Sequence, residues 1–387
     1  MSPSYSSSTR PGGDERRTVS FCDLPALHQP LMAEFHHRFD ELAAAAAFVG
    51  GEWLDRFERE WARYCGVDHA IGVANGTDAI ELVLRGIGIG PGDEVIVPAN
   101  TFIATPAAVV AIGATPRFVD VDPGTLLVTP TNVLSAIGPA TAAVIVVHLY
   151  GQMVDVESVM SVTEPRGIVV IEDAAQAHGA TFRGARAGSL GRAGTFSFYP
   201  SKNLGALGDG GAVVTDDAAL AERIRVLGNH GRGRIVGIHV EVGRNSRLDG
   251  IQAAFLSVKL PNLDRENRRR RAAAERYRRR LSDLPISFPE VQPGAEPVHH
   301  LMVVQVNGRD RFQRWLADRH IETSVHYPVP CHRQPAFERF GSGYLPIVER
   351  AADRLVSLPL FPTMTDDDID LVCEVARAFW TRSGASR

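Results

Sequence analysis

The chain has 387 residues, more than one hydrophobic core comfortably serves, so two lobes are expected. Its 44% hydrophobic and 22% charged content is that of a soluble globular protein, and a formal net charge of −4 gives no general attraction to nucleic acid. The four cysteines, Cys22, Cys65, Cys331 and Cys373, lie far apart with no CxxC pair, which argues against a zinc site or a disulfide framework and suits a reducing cytoplasm.

The first residues, "MSPSYSSSTRPGGDERR", are polar and contain no apolar core segment. They read as a disordered tail over residues 1–18 rather than a secretory signal. "ELAAAAAFVGG" is apolar but too short to span a membrane. From about residue 68 to 220, short β-branched runs alternate with helical patterns. The runs are "AIGVA", "DEVIVPA", "RFVDVD", "AAVIVVHLYG" and "GIVVIEDAA". Such continuous apolar runs are expected of parallel strands covered on both faces. Their order predicts an α/β sandwich with a mostly parallel sheet. Ligands gather outside the carboxyl ends of such strands, which directs attention to Asn75–Thr77, Pro98–Phe102, His148–Gly151 and Asp173–His178.

After Pro261 the pattern changes to a smaller α+β lobe. It opens with the Arg-rich helical stretch "ENRRRRAAAERYRRRL", read as a solvated face with Tyr277 and Leu281 turned inward, a phosphate-binding patch being the alternative. "HHLMVVQV", a helix around "RDRFQRWLADRH", a Pro-rich loop "HYPVPCHRQPAF" and a C-terminal helix follow.

Three stretches carry chemistry. In "ANGTDA" a helix opens at Gly76 and Thr77 just after a strand. Its free amides and dipole favour an anion, although Asn75 or Thr77 acting as an ordinary N-cap explains the same residues. In "VVIEDAAQAHGA" a buried strand delivers Glu172 and Asp173 at its end. Asp173 there holds a cation or a protonated ring nitrogen, or else caps the next helix. In "GTFSFYPSKNLGALGDGG" stands Lys202, one of only two lysines among 41 Lys and Arg residues. An amine can attack an aldehyde, whereas a guanidinium cannot be deprotonated to do so. The other lysine, Lys259, reads as a surface residue. Together, an anion cradle, a carboxylate at a strand end and a reactive lysine are what pyridoxal phosphate requires.

With these motifs in place, the sequence resembles the DegT/DnrJ/EryC1/StrS sugar-nucleotide aminotransferases, of pyridoxal phosphate fold-type I. The resemblance runs from about residue 50 to 365 through "NGTDAIELVLRGIGIGPGDEVIVPANTFIATPAAVVAIGATPRFVDVD", "VVHLYGQ", "IEDAAQAHGA", "GTFSFYPSKNLGALGDGGAVVT", "NSRLDGIQAAFL" and "VHYPVPCHRQPAF". It implies a three-layer αβα large domain with a mostly parallel seven-stranded sheet, over residues 19–261, and a small α+β domain over 262–387. Lys202 would hold the cofactor aldehyde and shuttle the proton, and Asp173 would pair with the ring nitrogen. Phe102 would stack on the ring, with Gln176 near its hydroxyl. Gly76, Thr77 and Ser197 would hold the phosphate, and Asn245 would reach the phosphate of a neighbouring subunit in a homodimer with shared sites. Tyr199, Asn203, His326, Tyr327 and His332 would meet the substrate.

Members with His in place of the lysine catalyse dehydration, so Lys202 favours transamination, the cofactor passing through its pyridoxamine phosphate form. The histidine-containing Pro-rich loop resembles members acting on dTDP-linked 3-keto sugars, with glutamate as donor. Transfer at C4 and a non-catalytic regulatory role are the alternatives. "GRGRIVGIHVEVGRN" is expected as a mobile interface loop, with Arg232 and Arg234 either meeting a substrate diphosphate or solvated. His178 would line the pocket without a catalytic role.

Overall fold

The structure is a computed structural model that describes residues 17–341 and 343–382. The expected N-terminal tail lies outside the described residues up to position 16. Arg17 is already tied down, bonded through its guanidinium to Thr365 and Asp368.

A seven-stranded sheet forms the centre. Its order across the sheet is His69–Val73, Gly211–Thr215, Ala193–Ser197, Val169–Asp173, Thr141–Val147, Glu94–Pro98 and Thr115–Val119. Every neighbouring pair is parallel except the two made by Gly211–Thr215. All five β-branched runs read from the sequence are strands of this sheet. Alternate residues serve two apolar layers: Ile71 and Val213 join one core, and Ala70, Ala212 and Val214 the other. A sheet covered on both faces needs no polar face, and so its strands read as unbroken apolar runs.

The register brings one sheet edge together. Val147 pairs with Asp173, Asp173 with Thr195, and both Val73 and Ser197 with Gly211. The ends of four strands and the start of a fifth therefore share one rim. Gly211 is obligatory there, because a Cβ would come 2.5 Å from the Asn75 carbonyl.

The second lobe packs an antiparallel sheet of Ile286–Ser287, Met302–Val306 and Leu355–Leu358 against helices Leu263–Leu281, Arg309–Ala317 and Asp366–Arg382. The Arg-rich helix buries Leu263, Asn267, Arg270, Ala273, Ala274, Tyr277 and Leu281, a stripe at helical spacing. Tyr277 and Leu281 are turned inward as the sequence suggested. Val19 differs from expectation. It pairs with Ile321 and joins the core of this second lobe, so the described residues begin on the small lobe before entering the large one.

A two-residue-wide sheet of Thr181–Phe182, Ala185–Arg186 and Ala295–Glu296 ties the lobes together. No helix of the described residues is long and apolar enough to cross a membrane.

Candidate active site

The Gly76–Gly86 helix begins where the His69–Val73 strand ends. Asn75 is its N-cap, with Oδ1 accepting the Asp78 N–H at 2.9 Å. That settles the capping question and leaves the Thr77 hydroxyl without a partner among the described residues. Ser197 stands directly opposite. A Cβ at position 76 would lie 2.7 Å from the Ser197 Cβ, so only glycine lets the helix end and the strand end close to this distance. The Ser197 Oγ accepts the Tyr199 N–H at 3.3 Å, which leaves its own proton free to donate. Free helix amides, two hydroxyls and the positive helix end make an anion cradle.

Asp173 ends its strand almost fully buried. Its Oδ2 accepts the Thr105 hydroxyl at 2.7 Å and its Oδ1 the Ala175 N–H at 3.2 Å. Thr101 shares the network through Thr105 at 2.9 Å. Two of four lone-pair directions are thereby filled, and the carboxylate keeps capacity for one more cationic donor.

The Lys202 amine makes no hydrogen bond among the described residues. Burial lowers its pKa to about 8, against the pull of the Asp173 carboxylate, which raises it. A buried ammonium without partners is costly, and a near-neutral amine is a competent nucleophile.

Around this pair, Gln176 acts as a bracket. Its Oε1 accepts the Tyr150 N–H at 2.7 Å and its Nε2 donates to the Tyr327 hydroxyl at 3.0 Å. Tyr150 takes a left-handed backbone, φ 61°, which a non-glycine residue adopts at a cost of about 1–2 kcal/mol. In return its hydroxyl donates to the His326 carbonyl at 2.7 Å, fastening the Pro-rich loop of the small lobe. Cys331 fastens the same loop to the sheet rim, its N–H bonding the Ala99 carbonyl at 3.1 Å. Phe102 presents a half-exposed ring, its centroid 5.7 Å from that of Tyr327. Tyr199 is also exposed. His326 bonds the Ser357 hydroxyl through Nδ1 at 2.8 Å, and burial, then Lys202, lower its pKa to about 4, so it is neutral at physiological pH.

Glu172, one residue before Asp173, points away from this group. It accepts the His148 ring at 2.7 Å and the N–H groups of Gly188, Leu190 and Gly191. His148 Nδ1 accepts the Val154 N–H, which fixes the proton on Nε2. Burial alone would raise the Glu172 pKa, but these donors, His148 foremost, hold it below the usual value. This pair braces the sheet.

Two expected substrate contacts are corrected. Asn203 is buried, and its amide is spent within the protein. It donates to Asn267 Oδ1 at 2.9 Å and the Val298 carbonyl at 3.2 Å, and it pairs with His300 at 3.0 Å. It fastens the Lys202 turn to the Leu263–Leu281 helix instead. His332 is buried against Phe118 and paired with Glu349 at 3.0 Å, so it anchors the loop rather than facing a ligand.

Arg232 and Arg234 are exposed, and Arg234 lies near Glu222 at 3.6 Å. Asn245 is exposed at the base of the same hairpin, its backbone paired with Asn229. His178 is neutral, its pKa lowered to about 3 by burial and then by Lys202, and it meets the Ser197 carbonyl at 2.9 Å. Lys259 is not a free surface residue: it is half-buried, and its ammonium donates to the Gly205 carbonyl behind the site.

Thr105, Asn267 and His300 were missed in the sequence, and Tyr150 was included only as part of the strand-end stretch His148–Gly151. Thr105 stands four residues after Thr101 in "TFIAT", a pairing the sequence displayed. Asn267 and His300 take part through tertiary contacts that no local pattern announces.

The group fits pyridoxal phosphate: a half-buried amine with no hydrogen bond among the described residues, a carboxylate with spare capacity, and a glycine-lined anion cradle share one rim. Comparison with known proteins points the same way. Residues 30–377 match the DegT/DnrJ/EryC1/StrS aminotransferase family. The dTDP-3-amino-3,4,6-trideoxy-alpha-D-glucose transaminase of Streptomyces venezuelae is 46% identical, over 90% of this chain and 92% of its own length. A pleiotropic regulatory protein of Geobacillus stearothermophilus is 43% identical, over 94% of this chain and 98% of its own. The crystal structure of S. venezuelae DesV in complex with a ketimine intermediate superposes with a TM-score of 0.92 at 44% identity, covering 94% of this chain and 99% of that one.

Proposed function

The chain belongs to the DegT/DnrJ/EryC1/StrS aminotransferase family, and from that premise we propose that it moves an amino group from glutamate to carbon 3 of a dTDP-linked keto-deoxysugar. It is a pyridoxal phosphate-dependent sugar-nucleotide aminotransferase. The reaction exchanges functions without net oxidation: the amino acid leaves as a 2-keto acid, and the ketone becomes an amine.

The observation that carries this reading is the Lys202 amine, half-buried, without a hydrogen bond among the described residues and within the field of Asp173. When bound, pyridoxal phosphate supplies an electron sink for the negative charge formed at the substrate carbon. The protein's residues divide the remaining work. Gly76, Thr77 and Ser197 would hold the phosphate, and Asp173 would keep the ring nitrogen protonated while Thr105 holds its carboxylate in place. Lys202 would hold the aldehyde and, once released, carry the proton between the substrate's amino-bearing carbon and the former aldehyde carbon on the other side of the shared nitrogen. Phe102 and the Gln176–Tyr327 bracket would bound the ring. Tyr199, His326 and Tyr327 would meet substrate.

The protein is proposed to act as a cytoplasmic homodimer in deoxyaminosugar and antibiotic biosynthesis. The 229–245 hairpin supports a dimer, since it exposes Ile235, Val236, Ile238, Val240 and Val242, with Val236 at 96% and Val242 at 89%. In that arrangement Asn245 would reach the phosphate of the neighbouring site.

Purified protein should be incubated with glutamate and, separately, dTDP-linked 3-keto and 4-keto sugars. The regiochemistry of the amino sugar formed is the readout. Amination at C4 would replace the C3 reading. A bound cofactor that no donor converts would favour the regulatory role named for the Geobacillus relative.

A further inference from the structure

Two lysines survive in this arginine-rich chain, and the chemistry above uses only Lys202. Lys259 closes the Gly250–Lys259 helix, which packs behind the cradle. Its ammonium donates to the Gly205 carbonyl at 2.5 Å and stands 3.4 Å from His28 Nε2. Gly205 is three residues beyond Lys202. Seven residues earlier on the same helix, Gln252 Oε1 accepts the Leu207 N–H at 2.9 Å. Seven residues are close to two full turns, so both side chains leave from one helix face. That face grips the Lys202 loop at two points.

The loop has little freedom to yield between its grips. The Lys202 N–H bonds the Tyr199 carbonyl at 2.8 Å and the Ala206 N–H the Phe198 carbonyl at 2.7 Å. A Cβ at Gly205 would come 2.3 Å from the Pro200 carbonyl oxygen, so the two stretches of the loop touch. A shift of the Gly205 carbonyl is therefore passed to the turn on which Lys202 stands.

The surroundings also explain the choice of residue. The donor must fit between a carbonyl and an imidazole, with Cys22 and Glu266 also facing it. An ammonium is a compact point donor, whereas a guanidinium is a broad planar fork. His28 serves as a neutral neighbour, since burial and then Lys259 lower its pKa to about 4.

We propose that Lys259 is a positioning residue for Lys202, holding the Gly205 carbonyl and thereby fixing where the reactive amine stands, in a space that a guanidinium does not fit. The inference rests on reading Lys202 as the cofactor-binding amine.

The test uses the full chain with K259M and K259R. The holoenzyme gives the pH titration of the visible cofactor band, with kcat and KM for both substrates. Cofactor-free protein gives the pH dependence of Lys202 acylation by a succinimidyl ester, read by peptide mass spectrometry. K259M is expected to move the Lys202 titration midpoint by at least half a pH unit, lower kcat about tenfold and leave KM within twofold. K259R is expected to fall between K259M and wild type. Wild-type midpoints and kcat in K259M overturn the proposal, even if its melting temperature falls, because only a structural role then remains. Should K259M fail to fold, K259R decides alone: wild-type behaviour overturns the proposal and a displaced midpoint supports it. The acylation midpoint is read without cofactor, so a protein that binds none refutes the functional reading while this measurement still stands.

Discussion

The Thr105 hydroxyl donates to Asp173 Oδ2 at 2.7 Å, and Thr101 stands behind it at 2.9 Å. A helix that starts after one strand thus orients the carboxylate delivered by another. A bond from a hydroxyl to a charged acceptor contributes about 1.5–3 kcal/mol, and it also fixes the direction in which the carboxylate points. Its consequence is for the angle at which Asp173 meets a cationic partner.

Asp173→Asn should accordingly retain cofactor but lose most turnover. An amide cannot keep a ring nitrogen protonated, and loss of a charge-stabilising group of this kind costs roughly 100- to 1,000-fold in kcat. Thr105→Val, which leaves the charge and removes only the tether, should cost about tenfold. Steady-state kinetics with the absorption spectrum of each variant check both. Equal losses in the two variants would remove the distinction between charge and orientation.

The Lys202 amine should react with cofactor over an unusual pH range. Its pKa is lowered to about 8, from an ordinary value near 10.4. The rate of cofactor capture by cofactor-free protein should therefore rise with pH and level off above about 8. Asp173 raises this pKa, so D173N should move the midpoint lower. Lys202→Ala should abolish the visible band and borohydride trapping altogether. Stopped-flow absorbance across pH 6–10 measures the first two effects. A midpoint near 10 would contradict the burial argument.

Much of this site was legible in the sequence because its chemistry is local. Asp173 ends an apolar strand, and Gly76 and Lys202 stand within a few residues of the ends of two others, so the sheet rim joins them once the βαβ order is accepted. Asn203 and His332 were misplaced for one reason: both are polar and adjacent to site residues, and only tertiary packing shows that their side chains turn inward. Lys259 was undervalued because the partner that matters, the Gly205 carbonyl, is 54 residues away in sequence. Val19 shows the same limit at larger scale, since its partner Ile321 lies in the other lobe.

The cradle can be tested by one methyl group. Gly76→Ala places a Cβ 2.7 Å from that of Ser197, so the helix end must retreat from the strand end. Cofactor affinity should fall at least tenfold, and Ser197→Ala should weaken it less, because it removes one donor without changing the gap. Asn75→Ala supplies the contrast. It removes the helix cap, so it should lower stability by about 1 kcal/mol whether or not cofactor is present. Equilibrium titration with pyridoxal phosphate and urea denaturation separate the two effects. A G76A protein with wild-type affinity would show that the narrow gap is not part of the cradle.

Glu172 offers a prediction about the fold rather than the chemistry. Its carboxylate receives His148 and the amides of Gly188, Leu190 and Gly191, all donors. Glu172→Gln sets an amide NH2 against at least one of them, in a fully buried place. Bonds to a charged acceptor contribute about 1.5–3 kcal/mol each, so the loss should be about 3 kcal/mol at pH 7. The sign of its pH dependence follows from the lowered pKa. The stabilisation is present above the unfolded carboxyl value, near 4.3, and disappears as pH falls through the folded value below it. The gap between wild type and E172Q in urea denaturation should be full at pH 6–7 and narrow as pH falls below about 4, because wild type then loses the same carboxylate. A gap that stays constant to pH 3 would assign the cost to shape rather than charge. The neighbouring Asp173 supplies the control, since D173N should reduce turnover while leaving this acid-dependent stability in place.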